Sequence, residues 1–256
     1  MRFILLLALL LVLQPLLRAQ SADGSYLKVD YLRVDSSELA PFLLGSRGEW
    51  KQHQLARIEE GTLLAWRLYR VVFPGLSGHR YNFVSVEIGA SLNDFQAPDR
   101  ETAAAWREKL PSLLALTVHS ELWHTLATVH LKENPAPSRY LNPNYMRVTE
   151  GKTGEYIEME TGFAKPVHEW LTADGKRDGW EFHRLILPGG ASSEIDFIAL
   201  DLYRDLKQIQ FGFTPEIVEK VHGDREFTFG DLRRALWSDI WELVEHAAPT
   251  DANRNE

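Results

Sequence analysis

Cysteine is absent from the 256 residues. That excludes disulfides, thiolate metal sites, a cysteine nucleophile and lipid attachment through sulfur. Basic residues are the next scarcity: 28 Lys and Arg stand against 36 Asp and Glu, a formal net charge of −8. With no basic run, the chain lacks the electrostatic footprint for nucleic acid or for an anionic membrane surface. Familiar catalytic patterns are missing too. There is no H-E-x-x-H, no H-x-H and no G-x-S-x-G, and Gly189-Gly190 has no strand–loop–helix context for cradling phosphate. What remains, 45% hydrophobic and 25% charged, is the composition of an ordinary folded chain.

What is present begins with an export pattern. Arg2 precedes an unbroken apolar run from Phe3 to Leu13, followed by Gln14-Pro15 and then Arg18-Ala19-Gln20. A basic start, a short apolar stretch, a breaker and a small residue form the layout of a secretory signal peptide. The run is shorter than the ~20 residues a membrane helix needs, and no later segment approaches that length. Residues 1–19 are therefore expected to be removed, with cleavage after Ala22 as the alternative to Ala19. Losing Arg2 and Arg18 takes the net charge to −10. The expected product is soluble and exported, periplasmic or extracellular, with a core large enough to need no disulfide staples.

The most informative feature is an internal repeat at a spacing of 114 residues. Gly61, Trp66, Arg70, Pro74 and Gly75 fall on Gly175, Trp180, Arg184, Pro188 and Gly189. Upstream, Tyr26, Leu27, Tyr31, Arg33 and Val34 fall on Tyr140, Leu141, Tyr145, Arg147 and Val148, and "YNFVSVEI" from Tyr81 lies over "IDFIALDL" from Ile195. Each unit reads as an alternating strand, a helix starting near Ser36-Ser37-Glu38 and stopping at Gly61, then two strands about a Pro-Gly turn. In the first unit a second helix is expected from Pro98 to Leu116, kinked at Pro111. The last piece, "TVHSELWHTLATVHL" in one unit and "DIWELVEHA" in the other, reads as strand, with helix open as the alternative. The order is then βαββαβ twice: units at 24–134 and 138–248, with a frayed tail at 249–256. Each four-stranded sheet leaves one face uncovered, and a second copy can cover it.

This order, with the G-x4-W-x3-R-x3-P-G pattern, resembles the dimeric α/β-barrel superfamily, which includes antibiotic-biosynthesis monooxygenase-like and NIPSNAP-like groups. The resemblance implies an α+β fold of two tandem ferredoxin-like units, packed sheet to sheet as a pseudo-dimeric barrel within one chain, with a monomer open as the oligomeric state. It also implies cofactor-free or haem-dependent oxygenase chemistry as one functional class. No catalytic motif of the family carries over residue by residue, so the resemblance speaks to fold more than function.

Strand alternation then sorts the faces. Apolar Leu32, Val34, Val84, Val86, Ile88, Trp66 and Leu68, with Met146, Val148, Ile198, Leu200, Leu202, Trp180 and Phe182, are expected under the helices. Facing the lumen would be Tyr31, Arg33, Arg67, Tyr69, Phe83, Ser85, Glu87, Glu121 and Trp123, with Tyr145, Arg147, Glu181, His183, Phe197, Ala199, Asp201, Asp239 and Trp241. Three arginines against five carboxylates leave excess negative charge, which burial makes costly unless it is paired, protonated or met by a ligand. The expected ligand-binding set is Tyr31, Arg33, Arg67, Tyr69, Glu87, Glu121, Trp123, Tyr145, Arg147, His183, Asp201 and Trp241. His183, Tyr69 and Glu181 are the candidates for proton transfer.

No compact metal-ligand cluster is present, and His119 and His124 fall on opposite faces of a strand, so no metal site is expected. His53 and His168 sit in near-equivalent helix positions, where packing is the plain reading and haem ligation the alternative. Three functional classes stay open: an exported binding protein holding a small molecule between the repeats, an oxygenase-type enzyme, and a structural envelope protein without ligand.

Overall fold

The computed structural model describes residues 22–75, 80–96, 117–131, 136–190, 193–225 and 229–249. The expected signal peptide, the expected helix over 98–116 and the tail beyond 249 lie outside them. No helix among the described residues is long and apolar enough to cross a membrane.

Alternation makes the strands. The first half contributes β1 (Tyr26–Leu32), β2 (Ala65–Phe73), β3 (Phe83–Gly89) and β4 (Thr117–His130). The second contributes β5 (Tyr140–Val148), β6 (Gly179–Leu187), β7 (Phe197–Tyr203), β8 (Arg233–Ser238) and β9 (Ile240–Ala247). In β4 every second side chain from Glu121 onward is buried, the period a strand needs to present one face to a core. Both segments that the sequence left open between strand and helix are thus strands, the second one set off from β8 by Asp239.

All pairings are antiparallel. The order is β7-β6-β4-β1-β3-β2-β9-β5, and a β5–β7 ladder closes it into a ring, with β8 extending the β5 pairing. Within each half the order is the same, β4-β1-β3-β2 and β9-β5-β7-β6. The halves are stitched edge to edge by β4–β6 and β2–β9 hydrogen bonds rather than stacked face on face, which leaves no open sheet edge between them.

Helices cover the outside. In the first half α1 (Leu39–Gly45) and α2 (Lys51–Glu59) are joined by a π-helical turn, Ser46–Trp50. In the second α3 (Thr153–Met159) and α4 (Lys165–Ala173) are joined by the same kind of turn, Glu160–Ala164, and α5 (Pro215–His222) follows. The two-helix elements recur at the 114-residue spacing, kink included. Gly61 and Gly175, at φ +74° and +70°, supply the left-handed residue that ends α2 and α4, a conformation costly for any residue with a Cβ.

Among the described residues the core has three parts. One fills the ring and includes Leu27, Val29, Tyr31, Tyr69, Val84, Val86, Ile88, Trp123, Tyr145, Ile198, Leu200 and Trp241. The others lie beneath the helices, around Phe42, Leu55, Trp66, Leu68 and Phe83 in one half and Tyr156, Trp180, Phe182 and Phe197 in the other.

This overturns the expected facing of β3 and β7. Directly opposed residues in an antiparallel pair share a face. Tyr31 opposes Val84, and Trp66 opposes Glu87, so Val84, Val86 and Ile88 point inward while Phe83, Ser85 and Glu87 point to the helices. Ile198, Leu200 and Leu202 follow the same rule in β7, leaving Phe197, Ala199 and Asp201 outside. The expectation failed because the ring interior is itself an apolar core, so hydrophobicity does not separate its two faces. Arg33 is also misplaced: β1 ends at Leu32 and Arg33 is exposed. Arg147 is half-exposed on the surface, bonded to the Ser193 carbonyl near Asp196.

Candidate functional site

Of the residues expected in the lumen, Tyr31, Arg67, Tyr69, Glu121, Trp123, Tyr145, Glu181, His183 and Trp241 do meet inside the ring. They form two buried polar groups. In the first, Tyr31 donates to Glu121 Oε2 at 2.6 Å and its oxygen takes the proton of Tyr145 Oη at 3.1 Å. Trp123 Nε1 donates to the same carboxylate oxygen at 3.1 Å. His119 stacks on Tyr31 and Trp237 on Tyr145. Asp239 accepts from Tyr81 Oη at 2.6 Å and from the Gly75 amide at 2.7 Å. Burial, then the Glu121 charge, pushes the Tyr31 phenol well above its ordinary range, and burial with Tyr31 does the same to Tyr145.

In the second group Arg67 Nη1 lies 3.8 Å from Glu181, His183 Nε2 lies 3.2 Å from it, and Thr125 Oγ1 is 3.0 Å from His183 Nδ1. Burial raises the Glu181 pKa, but His183, Arg67 and His130 outweigh it and hold the carboxylate below its usual range. Arg67 and Glu181, with Tyr31, Tyr69, Trp123 and Trp241, line a cavity of only about 10 Å³, room for about one water. The lumen is therefore a packed core in which each carboxylate faces a donor or a cation. Glu87 and Asp201 are answered outside the ring, by Arg57 and Lys28 and by Arg177 respectively, which accounts for much of the expected charge excess.

A larger space lies on the helix side of the second half. A cleft of about 390 Å³ opens between β5, β7 and β8 and the α3–α4 helix, closed by Phe211, Phe213 and Phe229. That volume is within the range of small-molecule sites. Glu160 lies one helical turn beyond Tyr156, and His168 follows on α4 past the π-helical turn; Glu160 and His168 both line the cleft. Glu160 is nearly fully buried, and its Oε1 lies 3.9 Å from Arg233 Nε. Burial pushes Glu160 up to about 7, partly offset by Tyr156 and Arg233. Arg177 donates both to Asp201 and to His168 Nδ1, while Asn144 donates to Asp201 at 3.1 Å. Burial nonetheless leaves Asp201 raised, and burial followed by Arg177 depresses His168 well below the usual histidine value. His168 lies flat on Trp180, ring centroids 4.5 Å apart. The Nε–H groups of Arg177 and Arg233 have no hydrogen-bond acceptor among the described residues.

The first half keeps a buried carboxylate, Glu87 for Asp201, paired with Arg57, but it lacks the acid and the histidine. At the 114-residue spacing Phe42 stands for Tyr156, Ser46 for Glu160 and Gln54 for His168. Phe42 is core, Ser46 bonds the Leu43 carbonyl, and Gln54 donates to Glu87 at 3.0 Å. So Gln54, not His53, is the counterpart of His168. Sequence reasoning missed Glu160, Tyr156, Arg177 and Arg233. The signal that could have found the first two was the repeat itself, read for where its copies differ.

No protein-family model matches the chain, and no curated protein does. Solved structures do match. A proposed monooxygenase from Fusobacterium nucleatum aligns at TM-score 0.55 and 9% identity, over 89% of this chain and 95% of its own. An anthrone oxidase-like protein aligns at 0.52 and 10%, over 90% and 94%. A haem-binding protein from Thermus thermophilus aligns at 0.51 and 12%, over 92% and 96%. At such identities the likeness is one of fold, and the fold is that of the dimeric α/β barrels.

Proposed function

We propose that this chain is an exported small-molecule-binding protein made of two tandem ferredoxin-like units, and that it works at the helix-side cleft of the second unit rather than in the lumen. One observation carries the reading: where the first half has Ser46 and Gln54, the second has Glu160 and His168 on the wall of a cleft of about 390 Å³, with Tyr156 in place of Phe42 buried behind them. A buried carboxyl balanced near neutral pH beside a guanidinium costs stability if its only task is packing, and such groups concentrate at functional sites. Filling the cleft with Asn144→Trp should abolish the melting-temperature increase produced by any ligand found in a small-molecule screen. Unchanged ligand responses in a folded Asn144→Trp protein would place the site elsewhere.

Haem does not fit His168. Arginine can only donate, so His168 Nδ1 accepts from Arg177 and the neutral ring carries its proton on Nε2, leaving no lone pair there for iron. A cofactor-free oxygenase is the second reading, favoured by the Glu160–Tyr156 pair, with Glu160 as the base that takes a proton from an acidic substrate. Oxygen uptake with anthrone, lost in Glu160→Gln, would support it. Equal rates in the two proteins would exclude it.

A further inference from the structure

Two guanidinium groups line the same cleft, Arg233 beside Tyr156 and Arg177 beside Tyr203, each with an Nε–H that no acceptor among the described residues meets at hydrogen-bond geometry, and their chemistry narrows the ligand. We propose that the cleft takes a small monocarboxylate with a flat apolar body, gripped by Arg233 and Arg177, and that its arrival is matched by uptake of one proton from solvent onto Glu160. The proposal rests on the cleft being the binding site.

Arg233 Nε is 3.9 Å from Glu160 Oε1, too far for a hydrogen bond, and Arg177 Nε is buried without an acceptor among the described residues. A buried donor left unanswered costs on the order of 1–3 kcal/mol, which an acceptor on a ligand recovers. The walls are flat rings: Trp180 beneath, Phe213 and Phe229 at the mouth. Arg233 already lies over the Phe229 ring, 4.8 Å from its centroid.

The charges facing Glu160 set the sign. Arg233 comes from β8, Asp201 and Tyr203 from β7, Tyr156 and His168 from its own helix, and Arg177 from the segment before β6. His168 is neutral, for it accepts from Arg177, and burial keeps both phenols protonated. Asp201 is answered by Arg177 and Asn144. With Glu160 ionised the cleft is neutral, and a second carboxylate at Arg233 would meet a like charge. With Glu160 protonated the cleft carries one net positive charge, which suits one anion. Binding an anion and protonating Glu160 are therefore a single linked event.

The test is calorimetric titration with sodium benzoate, and with benzamide as its uncharged counterpart, in buffers of different ionisation enthalpy. Benzoate affinity should be level below about pH 7 and fall about tenfold per pH unit above it, with proton uptake approaching one. Glu160→Gln should bind benzoate with no uptake and no pH dependence. Arg233→Gln should weaken benzoate at least tenfold and leave benzamide unchanged, with circular dichroism checking that each variant folds. Benzamide binding as tightly as benzoate, with both lost in Asn144→Trp, would overturn the anion while leaving the cleft standing. Benzoate binding that Asn144→Trp leaves intact, or none at millimolar concentration, would overturn both.

Discussion

Replacing Glu160 with glutamine should stabilise the protein, and only at neutral and alkaline pH. The carboxyl is raised from 4.5 to about 7 because it is buried, 3% exposed, so little solvent screening softens the effect. Between those two values the folded state binds a proton that the unfolded state has released. Protonation thus favours folding below the ordinary glutamate value, and this advantage is lost as pH rises through about 7. At 1.36 kcal/mol per pH unit the full window amounts to about 3 kcal/mol. Glutamine has the same shape, stays neutral and keeps an acceptor for Tyr156. Above pH 7 the variant should gain up to about 3 kcal/mol, or roughly 6–12 °C in Tm for a chain of this size. The gain should shrink to nothing as pH approaches 4.5. Thermal melts of both proteins across that range measure it. A variant less stable than wild type at pH 8, or a difference that does not change with pH, would mean that the Arg233 contact outweighs burial, and the reasoning about the cleft would fail with it.

Other perturbations probe the lumen and the N-terminus. Glu181→Gln strands Arg67 in the ring and should cost about 3–5 kcal/mol in urea unfolding, whereas Arg67→Met with Glu181→Leu should recover most of it. Because the Glu181 pKa is depressed in the folded state, the stability this carboxylate supplies is present above the ordinary glutamate range and is lost as pH falls below it, so the double variant should be the more acid-tolerant. Tyr31→Phe leaves Glu121 and Tyr145 each short of a partner and should cost about 1–3 kcal/mol, more than Tyr145→Phe, which spares the Tyr31–Glu121 bond. Mass spectrometry of the protein recovered from its host should find Gln20 at the N-terminus, or Asp23 if cleavage follows Ala22; retention of Met1 would refute the cleaved signal peptide.

Repetition made the architecture readable. One register, carried by Trp66 and Trp180, by Gly61 and Gly175 and by the paired Pro-Gly turns, fixed which segments correspond, and the strands and first helix of each half obey it. Side-chain direction was readable where one face is polar, as with Arg67 and Tyr69. It was misread in β3 and β7, where the more apolar face fills the ring and Ser85, Glu87 and Asp201 lie on the helix side, so only the pairing with neighbouring strands sets the direction. The cleft was not readable at all from pattern. Glu160 sits at a helical kink, Arg177 in the short connection before β6 and Arg233 at the start of β8. These three are brought together by tertiary packing, and no spacing announces them.

The contacts at the centre of the ring suggest why the proposed duplication matters. Tyr31 meets Tyr145 at 3.1 Å and Arg67 meets Glu181 at 3.8 Å, each pair 114 residues apart. In an assembly of two identical chains, residues facing each other across a two-fold axis are the same residue. There Arg67 could face only another arginine, a like charge buried with no answer. Joining the copies in one chain removes that constraint, so one position can become Arg67 and its counterpart Glu181. The same freedom operates on the helix side, where the first copy keeps Phe42 and Ser46 as packing while the second carries Tyr156 and Glu160. A ring built this way can commit one half to holding the barrel together and the other to the chemistry of the cleft.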